Sequence, residues 1–205
     1  MQFYDSIRVD QHSIFGMNNF KLLILASGGG TNAENIIQQF AAEQQIDICA
    51  IGSNKSDAYV LKRAKNLSVP SFVFMKSAFE SLAFKEIFAQ YEPTHIILAG
   101  FLLKVPKWMI EAYQDRIINI HPALLPKYGG KGMYGNHVHA AVKKNKEELT
   151  GITIHLVNEH YDEGAILFQA SCKLESSDSE EDIAKKVHQL EHTYFPKVIK
   201  DYLLG

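Results

Sequence analysis

Lys21-Leu-Leu-Ile-Leu-Ala26 runs without a break into Ser27-Gly-Gly-Gly-Thr31-Asn32, and an amphipathic stretch over residues 33–42 follows. A short, continuous apolar run marks a parallel strand buried on both faces; the glycines mark a tight loop, and the apolar period then becomes helical. Strand, glycine loop and helix make the opening of an α/β unit. The same alternation continues, with strands over 46–52, 70–74 and 94–99, helices over 57–66 and about 79–91, and a fifth strand starting over 116–119. It predicts a Rossmann-like open, mostly parallel sheet with helices on both faces and right-handed crossovers.

The second half changes character. Residues 126–136 carry four glycines and a proline and read as a loop. A short helix is expected over 137–144, strands over 151–157 and 165–172, and a long amphipathic helix over 179–203. The start of that helix, Ser179-Glu-Glu-Asp182, combines a capping residue with acids that suit the helix dipole. The 205 residues, 46% hydrophobic and 21% charged, fit one domain over 20–205 preceded by an N-terminal extension over 1–19. Met17 is a candidate alternative start, and the first residues lack the pattern of a secretory signal.

A net charge of −2 gives no reason to expect nucleic acid or a membrane surface as partner, and no run is long enough to span a bilayer. The two cysteines, Cys49 and Cys172, lie in separate apolar runs and read as buried free thiols of a reducing, cytoplasmic compartment. The expected partners are small-molecule substrates, and the expected assembly is a monomer or homodimer.

Two segments carry chemistry. In the first, Gly28, Gly29 and Gly30 let the backbone approach an anion at a helix N-terminus, with Thr31 and Asn32 adding side-chain donors. A plain tight turn is the competing reading. The order Gly-Gly-Gly-Thr-Asn favours a phosphate. A dinucleotide is less favoured, because Gly52-Ser53-Asn54 offers no acid for a ribose at the end of the second strand.

The second segment is Asn119-Ile-His121-Pro-Ala-Leu-Leu-Pro126, to be read with Asp162 in Tyr161-Asp-Glu-Gly164. An amide and a cationic imidazole can hold a developing oxyanion, and a carboxylate can keep the imidazole charged and move a proton. Two prolines stiffen the loop. Taken singly, Asn119 and His121 are a loop-stabilising pair and Asp162 a turn residue; the three together are less well explained that way. His155, alternating with apolar residues, is a satisfied core residue or a wall of the site. His137 and His139 lack a third ligand of convincing spacing, so packing is the preferred reading and no metal is expected. His12, His95 and His160 carry no functional case from sequence pattern alone.

With these strings the chain resembles the phosphoribosylglycinamide formyltransferases, a folate-dependent family of purine biosynthesis. The resemblance covers about residues 20–203. It rests on Ala26-Ser-Gly-Gly-Gly-Thr-Asn32, Ser53-Asn-Lys55, Leu98-Ala-Gly-Phe101, residues 118–128, Gly151-Ile-Thr-Ile-His155, Asp162-Glu-Gly164 and Glu191-His192. The Asn-x-His-Pro core is shared by a wider formyltransferase group, so it specifies chemistry more firmly than substrate. Formyl transfer to another amine is the alternative.

The resemblance implies a formyltransferase fold and transfer from 10-formyltetrahydrofolate, as co-substrate, to the amine of glycinamide ribonucleotide. Asn119, His121 and Asp162 would be catalytic, and Asp162 is expected to raise the His121 pKa. Gly29, Gly30, Thr31 and Asn32 would hold the substrate phosphate, with His188 and Glu191 near the ribose. Leu102, Leu103, Lys104 and Val105 would line the folate pocket with Asn158, Glu159, His160 and Tyr161. Some relatives have arginine where this chain has Leu82 and Leu103, which bears on contacts to the folate tail, and Lys104 is a partial substitute.

The glycines of residues 129–135 predict a lid that orders over bound ligands. Limited proteolysis should cut this loop more slowly with both ligands present; an unchanged cutting rate counts against a lid.

Overall fold

The computed structural model describes residues 19–205, so the expected extension and the candidate start at Met17 lie outside the described residues but for Asn19. The strands are β1 (Phe20–Leu25), β2 (Ile46–Ser53), β3 (Ser71–Val73), β4 (His95–Leu98), β5 (Ile117–His121), β6 (Leu149–Leu156) and β7 (Ile166–Lys173). The helices are α1 (Thr31–Phe40), α2 (Tyr59–Asn66), α3 (Leu82–Ala89), α4 (Lys107–Ala112), α5 (Asn136–Lys144) and α6 (Glu180–Leu204). All the expected elements form. Two further elements form, α4 and a single 3-10 turn at Lys76–Ala78; both are too short to show a helical period in the sequence.

The strands make one seven-stranded sheet in the order β3-β2-β1-β4-β5-β6-β7. The first five pair in parallel, whereas β6 lies antiparallel to β5 and β7 antiparallel to β6. The chain runs outward from β1 to β3 and then returns to place β4 on the other side of β1, so the sheet has a switch point between β1 and β4. Crevices for ligands open at the carboxyl ends of strands at such points.

Alternation along the strands divides the core in two. Leu22 and Ile24 join Ile118, Ile120, Ile152 and Ile154 under α1, α2, α5 and α6. Leu23 and Leu25 join Ile96, Leu98 and Ile117 under α3 and α4. This second layer is aromatic: Phe74, Phe79, Phe84 and Phe88 interlock, with Trp108 at the edge of Phe88. The long helix α6 begins at the expected cap, where Ser179 accepts from the Asp182 amide and the Asp182 carboxylate accepts from the Ser179 amide. Cys49 and Cys172 are free, as expected, but half-buried rather than buried.

The glycine loop is held from outside as well as within. Gly30 caps α1 in the left-handed region at φ 74°. A Cβ there would stand 2.3 Å from the Val60 side chain on α2, whereas one at Gly28 would meet nothing within 4 Å. Gly30→Ala should therefore cost about 2 kcal/mol or more, the sum of a left-handed backbone penalty and a steric clash. Gly28→Ala should stay within about 0.5 kcal/mol. Equal urea midpoints for the two variants would sink this account.

His95 opens β4 buried against the edge of the Phe20 ring, and burial lowers its pKa from 6.5 to about 4, with the nearby Arg116 acting in the same direction. The folded state thus binds fewer protons than the unfolded chain between those values. Its stability contribution is complete above the unfolded pKa and is lost as pH falls through the window to about 4. The Tm should fall between pH 7 and pH 4.5, and His95→Gln should flatten part of that fall; parallel curves for the two proteins would contradict this.

Candidate functional site

Residues 117, 119 and 121 alternate onto the same sheet face, so Asn119 and His121 continue the face on which Ile117 packs. Register with β6 then sets their neighbours: Asn119 lies opposite His155 and His121 opposite Thr153. Thr153 anchors the loop after β5, donating from Oγ1 to the Ala123 carbonyl (2.7 Å) and accepting the Leu125 amide (3.0 Å). That loop folds back over His121, which is 3% exposed. The Tyr128 carbonyl accepts a hydrogen bond from His121 Nε2 at 2.8 Å, which fixes Nε2 as a protonated nitrogen and leaves Nδ1 facing Asp162.

Asp162 stands at φ 58° between β6 and β7. Its Oδ2 lies 3.7 Å from His121 Nδ1 and its Oδ1 3.7 Å from His155 Nε2. Both separations are too long for a hydrogen bond. Oδ2 does accept the Gly130 amide at 2.8 Å, which ties the glycine-rich loop to the carboxylate. His155 was left open by its sequence pattern, and the structure places it in the site. Its Nδ1 donates to the Leu156 carbonyl at 2.8 Å, so its Nε2 is free to accept the Asn119 amide at 3.0 Å. One N–H of Asn119 is thereby committed, and the other is left for a ligand.

The electrostatics correct one expectation. Burial lowers the His121 pKa, and the Asp162 charge and the Tyr128 carbonyl only partly oppose it, while His155 adds to the lowering. The expected rise is absent because at 3.7 Å the carboxylate does not outweigh desolvation. For Asp162, burial pushes its pKa up, but the facing His155 and His121 rings and the Gly130 amide together take it below the ordinary carboxylate value. Both shifts favour a carboxylate beside an uncharged imidazole.

Asn119, His121, His155 and Asp162 line a cleft of about 610 Å³ at the carboxyl ends of β4 and β5. Leu98, Leu102, Leu103, Val105 and Val157 give it an apolar wall, and Lys104, Asn158, His160 and Tyr161 line the same region. The Lys104 ammonium sits 5.7 Å from the centre of the Tyr161 ring. Glu159, expected with them, is exposed and does not line the cleft.

At the other end stand Asn32, His188 and Glu191. Asn32 donates to Glu191 Oε2 at 2.9 Å, and Thr31 Oγ1 lies 2.8 Å from His188 Nε2. Burial pushes the Glu191 carboxyl up, against the pull of the Asn32 amide, and lowers the His188 imidazole, helped by the adjacent His192. Gly29, Gly30 and Thr31 do not line the cleft; Asn32 is the loop's one residue there. The loop is nevertheless bound to the cleft wall, because Ser27 Oγ donates to Asn54 (2.6 Å) and accepts the Leu102 amide (2.9 Å). His139, for which the sequence favours packing, is 6% exposed on α5 but also lines the cleft, and its Nδ1 has no partner among the described residues.

Residues 20–199 match the family described as formyl transferase. The chain is 35% identical to a chloroplastic phosphoribosylglycinamide formyltransferase of Arabidopsis thaliana over 187 residues, covering 87% of this chain and 64% of that one. It is 34% identical to the Bacillus subtilis phosphoribosylglycinamide formyltransferase, covering 89% of this chain and 94% of the relative. The chain thus spans less than two thirds of the plant relative's length but nearly all of the bacterial one's. A solved phosphoribosylglycinamide formyltransferase of Bacillus halodurans superposes with a TM-score of 0.82 at 30% identity, over 90% of this chain and 96% of that one.

Proposed function

This chain belongs to the formyl transferase family, and on that premise we propose that it transfers the formyl group of 10-formyltetrahydrofolate to the amine of glycinamide ribonucleotide. The observation that carries this reading is the convergence of Asn119, His121, His155 and Asp162 at the end of β5, in a cleft of a size usual for small-molecule sites. The apolar wall of Leu102, Leu103 and Val105 suits a flat pterin, and the polar end at Asn32, His188 and Glu191 suits a ribose phosphate. A Glu191 carboxyl pushed toward its neutral form adds less repulsion against an anionic ligand than a full charge would. The phosphate itself would meet the amides of Gly29, Gly30 and Thr31 at the head of α1, beside the cleft.

In the reaction the amine nitrogen attacks the formyl carbon and the carbonyl electrons move onto oxygen. The uncommitted Asn119 N–H and His121 Nδ1 would hold that oxyanion. Burial favours an uncharged His121 in the free cleft, and as negative charge develops beside it the proton lost by the amine would pass onto Nδ1, where Asp162 would stabilise the cation. The tetrahedral intermediate then expels the folate nitrogen, which leaves with the proton lost by the amine. His121, paired with Asp162, would hand that proton on to the folate nitrogen. The cytoplasm is the proposed location, supported by two free thiols; among the described residues no helix is long and apolar enough to cross a membrane.

The test is a spectrophotometric assay of folate product with and without glycinamide ribonucleotide. Turnover should require the amine and fall about a hundredfold or more in His121→Ala, as loss of an oxyanion donor typically does. Folate turnover without the amine would identify a hydrolase, and turnover with another amine alone would reassign the acceptor.

A further inference from the structure

Among the described residues, the direct hydrogen bond that orients His121 is to a backbone carbonyl, and that carbonyl belongs to a residue in a costly conformation. Tyr128 has φ 59°, in the left-handed region that side chains rarely adopt. Something must hold it there. The Tyr128 ring is half-buried against the core layer of α5 and α6, and its hydroxyl is fully engaged. It donates to Glu147 Oε1 at 2.8 Å and accepts from Asn145 Nδ2 at 2.8 Å. Asn145 ends α5, and Glu147 lies in the turn into β6, where Lys127 also reaches it at 3.0 Å. The loop after β5 is therefore pinned at its far end to a turn 17 and 19 residues further along the chain.

We propose that the Tyr128 hydroxyl, through Asn145 and Glu147, is the positioning group that holds the Tyr128 carbonyl on His121 Nε2 and so selects the ring tautomer that presents Nδ1 to Asp162 and the reacting carbonyl. Two neutral tautomers are open to an imidazole, and the choice follows the hydrogen bond made by the other nitrogen. If the carbonyl drifts, Nε2 loses its acceptor and Nδ1 becomes the better place for the proton, because Asp162 is the remaining acceptor nearby. The charged and titratable groups that face His121 are Asp162 from the β6–β7 loop and His155 from β6. Neither replaces the lost contact at Nε2. The inference rests on the formyl-transfer reading only for its kinetic consequence; the tautomer of His121 is a property of the free protein.

The test is nitrogen-15 NMR of the histidine rings in the free protein, with steady-state kinetics alongside. Tyr128→Phe keeps the ring and removes both hydroxyl bonds. It should move the His121 nitrogen shifts from a single Nε2–H tautomer toward a mixture and lower the His121 titration midpoint, while His95 stays unchanged. The kcat should fall about tenfold, the usual scale for losing a group that orients a functional histidine, with both KM values within about twofold. Glu147→Ala should reproduce the effect, and Glu147→Gln, which keeps an acceptor oxygen, should restore most of it. Wild-type His121 shifts in folded Tyr128→Phe would overturn the proposal, whatever the kinetics. If the shifts move as expected in an enzyme with no formyl transfer at all, the positioning role stands and the reaction assignment falls.

Discussion

The antiparallel pairing of β6 on β5 is the constraint on which the site depends. In the parallel part of the sheet the strands are joined through crossover helices, and the loops beyond their carboxyl ends border the crevice. Here one register sets His155 directly opposite Asn119 and Thr153 directly opposite His121. The first pairing fixes the amide, and the second anchors the loop that covers the imidazole. Opposed residues in an antiparallel pair sit about 5 Å apart, so a single register places four polar groups without help from long side chains. A slip of β6 by one residue would turn His155 and Thr153 to the face under α5 and α6 and break both pairings.

Most of the fold was legible because its signals are local. Lys21 to Asn32 shows a strand, a loop and a helix within one window, and each later unit repeats the pattern. The helix α4 was not legible, since its six residues carry no full period. Asn119, His121 and Asp162 were legible as chemistry, but the structure adds groups that no pattern marks. The Tyr128 carbonyl and the Gly130 amide are backbone atoms present in every residue, and only the chain's path makes them partners of the site. His155 alternates with apolar neighbours like any strand residue, and its role appears only once Asn119 stands across from it. Glu159 failed for the complementary reason: adjacency in sequence to cleft residues does not turn a side chain inward at a turn.

The charge state of the free site follows from a competition that the residue types alone do not decide. A histidine beside an aspartate is ordinarily read as a cation. In this cleft the imidazole is nearly sealed from water, the carboxylate stands beyond hydrogen-bonding distance, and desolvation prevails. The shifts favour an uncharged imidazole, with the negative charge of Asp162 already in position beside it. Preorganisation of this kind spares the site a reorganisation when charge develops.

Ser27 has a mechanical meaning. Its hydroxyl joins Asn54, beyond β2, to the Leu102 amide, beyond β4, and its own amide donates to the Gly100 carbonyl. The glycine loop and the apolar wall of the cleft are thereby stitched together across the switch point of the sheet. Moving one strand-end loop alone would break these hydrogen bonds, so they oppose independent displacement of the two ends of the cleft. On the opposite side the glycine-rich segment meets Asp162 through an amide hydrogen bond, with no comparable stitch through a shared hydroxyl among the described residues.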